Sequence, residues 1–262
     1  MKFSGFLIPI FLSLLLCSQQ IFAIADLSQV PKKEMDRIEN FLSYLILDEG
    51  FAYVLFGSKP MSIIGYDKTT PISYKELYSS PLFELESWWK TWEKYQYLFP
   101  MEEYLFFVQN KETWFEIILI NKVNFIKIIE THLTLFQEKI GQTLSTNEIF
   151  NHIVSSDDFF TVGLNKSQTL FGLLLGYGKD NAEGFEKYFS KEKKTAPPPL
   201  ASMQVDNLHG LMLPCFVSFS NQETKGIIKK YHRERQKIMD IYSKGSFLEI
   251  TLKKLTATPA KS

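Results

Sequence analysis

The 262 residues carry 29 basic and 29 acidic side chains, with 45% hydrophobic and 15% aromatic content. Such a composition excludes a disordered or low-complexity chain. A near-zero net charge with only three arginines, Arg37, Arg233 and Arg235, argues against nucleic acid as a partner, because arginine is the main reader of phosphates and base edges.

Lys2 is the only charged residue before Asp26. An apolar run from Phe6 to Leu16 then leads to Ala23-Ile24-Ala25. A basic start, a short apolar core and a small-x-small site are the three parts of a secretory signal. The run is well short of the roughly 20 apolar residues that span a bilayer. Residues 1–25 are therefore read as the signal peptide of an exported, periplasmic or secreted protein. Cleavage would leave Asp26 at the mature start. Cys17 offers an alternative, lipidation and a membrane-surface anchor, but Leu16 is large where such signals place a small residue. Cys215 is the only other cysteine, so the mature chain has no internal disulfide. No later stretch has 18 uncharged apolar residues in a row, and no transmembrane helix is expected after signal removal.

Pro31 suits a helix start. Met35, Ile38, Phe41, Leu42, Leu45 and Ile46 then recur at steps of three and four, predicting an amphipathic helix closed by Gly50. Phe51 to Phe56 is apolar and of undecided type. Gly57-Ser58-Lys59-Pro60 reads as a loop, and Met61 to Tyr66 as a strand. Leu82 to Phe99 predicts an aromatic helix stopped by Pro100, with Trp88, Trp89 and Trp92 on its core stripe. Tyr104–Val108 and Thr113–Ile120 predict a β-hairpin. Asn121 caps a helix over 122–139 closed by Gly141, and Ser145 with Glu148 forms a capping box for a helix to about Val154.

Residues 167–176 read as a buried helix ended by glycine. Asp180 with Glu183 reads as the start of another, reaching about Lys191. The charged, Pro-rich stretch over 191–207 is a surface crossing, since consecutive prolines enforce extended backbone. Leu211 to Phe219 reads as a strand. Ser220 with Glu223 reads as a second capping box, opening a helix to Tyr242 that buries Ile228, Tyr231, Ile238 and Tyr242. Phe247 to Leu255 alternates apolar and polar, an edge strand with one solvated face. A disordered tail from about 256 completes the chain. The sum is a single globular domain over 26–262. Its fold class is α+β, helix-rich with a small, mostly antiparallel sheet, from roughly seven helices and five short strands.

Chemistry-bearing groups are few. Cys215 as nucleophile would need a base, His209 or His232, and an orienting acid, Asp206 or Asp240. Its place beside Pro214 in an apolar run favours core burial instead. Glu148 and His152, four apart on a predicted helix with Asp157 and Asp158 nearby, could begin a metal site, but a solvated face is the simpler reading. Gly176-Tyr177-Gly178 precedes a helix N-terminus where a phosphate could sit. A tight turn with an Asp180 cap is the simpler reading there. The cations Lys229, Lys230, Arg233, Arg235 and Lys237 lie on one predicted helix with Glu234 and Asp240 among them, and read as a solvated face. No cofactor is expected.

Two segments, Ala52-Tyr53-Val54-Leu55-Phe56-Gly57-Ser58-Lys59-Pro60-Met61 and Leu174-Leu175-Gly176-Tyr177-Gly178-Lys179-Asp180-Asn181-Ala182, resemble stretches of uncharacterised exported proteins from chlamydia-type intracellular bacteria. The resemblance covers about twenty residues, carries no activity and implies an envelope or host-facing setting. It makes Phe56–Pro60 and Gly176–Gly178 the places to examine first. The expectation is a non-enzymatic binding protein whose partner is a protein or an envelope component. The alternatives are a hydrolase or transferase built on Cys215 and His209, and a lipid-anchored envelope protein using Cys17.

Overall fold

A strand that is apolar at consecutive positions needs cover on both faces. Trp-Phe-Glu-Ile-Ile-Leu-Ile-Asn is such a strand. In the computed structural model, which describes residues 27–69, 81–190, 211–219 and 222–257, the sheet consists of β1 (Met61–Asp67), β2 (Tyr104–Asn110) and β3 (Trp114–Asn121). The order is β1-β3-β2, antiparallel throughout, so β3 is central. Ile64 faces Ile117 across one ladder and Phe106 faces Leu119 across the other. Phe115, Ile117 and Leu119 enter one core while Ile118 and Ile120 enter a second.

The helices in chain order are α1 (Lys32–Ser43), α2 (Ala52–Leu55), α3 (Leu85–Tyr95), α4 (Lys122–Thr131), α5 (Leu133–Ile140), α6 (Thr146–Val154), α7 (Gln168–Leu174), α8 (Lys179–Phe189), α9 (Gln222–Tyr242) and α10 (Phe247–Leu255). Buried side chains of α1, α2, α3, α9 and α10 fill the first core, and those of α4 to α8 the second. The chain is α+β and helix-rich, as expected. The aromatic stripe is core: Trp89 and Trp92 are buried, Trp92 stacks on Phe99 at 5.3 Å, and Phe41 stacks on Phe106 at 5.9 Å. Among the described residues no helix is long and apolar enough to cross a membrane. The signal segment with Cys17 and the crossing at 191–207 lie outside the described residues.

The Ser145 and Asn121 caps are as expected. Ser145 Oγ accepts from the Glu148 N–H, and the Glu148 carboxylate accepts from the Ser145 N–H at 2.8 Å. Asn121 Oδ1 accepts from the Asn124 N–H at 3.0 Å. Phe51–Phe56 holds the short buried helix α2.

Three expectations are corrected. The helix over 122–139 is two helices that break at His132. Just before the break Thr131 Oγ1 donates back to Lys127 O, a bond that bends helices. Leu211–Phe219 is irregular chain, with an isolated bridge at Val217 rather than a strand. Pro214 has no N–H to give a ladder, and Met212 donates its N–H to Leu47 O instead. Phe247–Leu255 is the helix α10, not a strand. Leu248, Thr251, Leu252 and Leu255 are its buried positions, and their spacing of three and four is helical.

Candidate functional site

Glu148 is spent on its capping box. Among the described residues no group of three or more His, Cys, Asp or Glu could hold a metal ion, so Glu148 and His152 stay on a helix face without further ligands. Cys215 is exposed, against the expected burial. The apolar segment around it is not a core strand: Leu211, Pro214 and Phe216 turn inward while Met212 and Cys215 turn outward. His209 and Asp206 lie outside the described residues. His232 and Asp240 are exposed on α9, and Asp240 accepts from Gln236 Nε2.

The Gly176–Gly178 turn is the structural hinge of the region. Gly176 and Gly178 have φ of 78° and 83°, a region that side chains with a Cβ rarely enter. At the start of α8 the N–H groups of Lys179, Asp180 and Asn181 all donate to the Glu223 carboxylate, at 2.8, 2.9 and 3.3 Å. The cap is therefore Glu223 from α9, not Asp180. The place where a phosphate could sit holds the chain's own anion, favoured by the exposed N–H groups and the helix dipole. Asn181 completes the joint: its Nδ2 donates to Tyr177 O, and its Oδ1 accepts from Thr224 Oγ1 and the Phe219 N–H. Glu223→Ala is expected to lower stability by about 1–2 kcal/mol, the range of a lost cap with charge-assisted bonds. Chemical denaturation checks it, and an unchanged midpoint would mean that water caps α8 equally well.

The two segments singled out by resemblance meet at this turn. Lys59 is buried between α2 and β1. Its backbone N–H donates to Tyr53 O, its Nζ donates to Ser62 Oγ at 2.9 Å, and Nζ stands over the Tyr177 ring at 6.0 Å from the centroid. Burial pushes its amine down to about 8, against the opposing pull of Glu49. Tyr231 Oη closes off Gly176, since a Cβ there would lie 2.5 Å from it, while the Lys59 stem and Pro60 stand at ordinary contact distance, 3.5 and 3.4 Å. Tyr231 Oη donates to Gly176 O at 3.0 Å, and the Tyr231 ring meets Tyr53 edge-on at 5.4 Å. A lysine of lowered basicity beside a serine is one of the pairings that activate a serine nucleophile. Ser62 is only 1% exposed, so no carbonyl group can reach it.

Beyond Tyr177 the character changes from polar to apolar. Tyr177 stacks on Phe216 at 5.2 Å and 16°. Both rings line a cavity of about 260 Å³. Its walls are Phe171, Gly172 and Leu175 from the α7 side, Ala182 and Phe185 from α8, and Phe216 and Val217 from the irregular segment. Gln168, Asn181 and Cys215 are the other lining residues with polar groups. Burial, with Cys215 nearby, pushes the Tyr177 hydroxyl up to about 12, so it remains a neutral donor at physiological pH. A cleft of this size sits at the lower edge of small-molecule pockets, suited to one ring or one short apolar chain.

No protein-family model, no curated protein and no solved structure matches the chain.

Nothing in local sequence signalled the cleft. Its lining comes from three separate stretches, and apolar residues facing a cleft look like core residues in sequence.

Proposed function

We propose that this chain is an exported bacterial binding protein that takes an apolar group of a protein or envelope partner into the cleft beside Cys215. The observation that carries the proposal is the cleft itself: about 260 Å³, walled mostly by aromatic and aliphatic side chains, with Gln168, Asn181 and Cys215 among them. Apolar walls favour binding by removing water from apolar surface, and a few polar groups orient the ligand. The signal-like start of the sequence supports the exported setting.

The test is a fluorescence titration of the full chain with N-phenylnaphthylamine, a neutral apolar probe. Saturable enhancement is expected, and Cys215→Trp, which places an indole at the edge of the cleft, should weaken it by about tenfold or more, equivalent to ~1.4 kcal/mol. Absence of saturable binding, or equal binding by the variant, would overturn the proposal.

A second reading rests on the exposure of Cys215. An accessible thiol could act as the nucleophile of a hydrolase or transferase, with His209 as its base. In that case alkylation of Cys215 by iodoacetamide should slow in His209→Ala. An unchanged rate would remove this reading.

A further inference from the structure

We infer that Lys59 is a positioning residue for the cleft, its buried ammonium holding Tyr177 against Phe216 so that the protonation state of one lysine sets how well the cleft is formed. The inference rests on the cleft being the binding site.

The geometry connects the two groups directly. Lys59 Nζ has Ser62 Oγ on β1 as its hydrogen-bond acceptor, and the Tyr177 ring within cation–π range. Tyr177 in turn stacks on Phe216 and lines the cleft. Its backbone is constrained as well, since the Tyr177 N–H donates to Gly172 O and the neighbouring Gly176 is pinned by Tyr231 Oη. The ring itself rests between Lys59 Nζ, Phe216 and the second core. A neutral amine lacks the charge that attracts the ring's negative face. Loss of the proton removes the attraction while leaving every covalent and backbone restraint in place.

Among the described residues, the titratable groups around Lys59 and Tyr177 are Glu49, Tyr231 and Cys215. Glu49, at the end of the turn after α1, is the carboxylate that favours the charged amine, and burial raises its own carboxyl with Asp48 adding to that rise. Tyr177 and Tyr231 are held above the ordinary phenol range by burial, so neither ionises where Lys59 does. Cys215 stands near Tyr177 and is removed from the test by substitution.

The test uses the full chain with Cys215→Ser and selectively labelled tyrosine rings, the Tyr177 signal being assigned by its loss in Tyr177→Phe. Between about pH 6 and pH 10 the Tyr177 ring signal should move with a single midpoint near about 8. N-phenylnaphthylamine affinity should fall by about five- to tenfold across the same range, as expected for loss of a desolvated cation–π contact. Lys59→Met should abolish both dependences, and Lys59→Arg, which keeps its charge throughout, should hold the ring at its low-pH position. A Tyr177 signal that stays flat in the parent, or still titrates in Lys59→Met, would overturn the inference. A titrating ring in a protein that binds no probe would instead leave the coupling standing and sink the cleft as a binding site.

Discussion

Replacing Lys59 by methionine is expected to stabilise the protein at neutral pH by about 2–3 kcal/mol. The lysine is buried, and its amine is held near about 8 against a usual 10.5. Each pK unit corresponds to about 1.4 kcal/mol between the two protonation states. Below the folded value the lysine is charged in both the folded and unfolded chain, and the fold carries the full penalty of burying the charge. Between the folded and unfolded values the unfolded chain binds a proton that the folded chain does not, so wild-type stability rises with pH. Methionine has a similar stem and no charge. Its advantage should therefore be full at neutral pH and shrink as pH climbs through the interval from about 8 to 10.5. The lost bond to Ser62 Oγ offsets the gain by about 1 kcal/mol. Urea unfolding of both proteins at neutral and alkaline pH measures this. A destabilised variant with no pH dependence would mean that Lys59 is a satisfied structural cation and not a strained one. A side chain that costs stability is a functional candidate, which is why the result bears on the cleft.

The largest loss is expected at Trp92. Its side chain is fully buried, stacks on Phe99, and packs against Phe41 and Phe106 at 6.4 and 5.5 Å between ring centroids. Trp92→Ala should lose about 3–5 kcal/mol, the range for deleting a large buried aromatic. Among the described residues its indole Nε1 has no hydrogen-bond partner, so Trp92→Phe sacrifices volume but no described hydrogen bond and should lose roughly half as much. Thermal unfolding of the two variants separates these contributions. Equal losses would assign the effect to a polar contact of the indole.

These predictions concern parts of the fold that differ in how far the sequence announced them. The β2–β3 hairpin was legible because its signals are local: aromatic and β-branched runs around a short polar gap. The Ser145 capping box and the Asn121 cap were legible for the same reason, each spanning three residues. Phe247–Leu255 misled because Leu248 and Leu252 satisfy a period of two and a period of 3.6 alike. The buried Thr251 and Leu255 settle it for a helix. Glu223 was read as serving its own helix, yet its carboxylate crosses to α8, more than forty residues away in sequence. No local pattern encodes such a partner. Cys215 was expected in the core on composition, but an irregular segment divides its residues between inside and outside without the regularity of a strand.

Lys59 is the sharpest case. A lysine flanked by Gly57, Ser58 and Pro60 reads as an exposed loop residue, since lysine is almost never fully buried. It goes inside against the Gly176–Tyr177 turn, where its Nζ donates to Ser62 Oγ and stands over the Tyr177 ring. The resemblance had picked out both stretches, without indicating that they touch.

The apolar cleft is the proposed binding site of this protein. The most direct measurement is a methyl and aromatic NMR map of the full chain titrated with N-phenylnaphthylamine. Perturbations concentrated at Leu175, Val217, Phe171, Phe185 and Phe216 are the predicted result. Perturbations confined to other surfaces, with these signals unmoved at saturation, would contradict it.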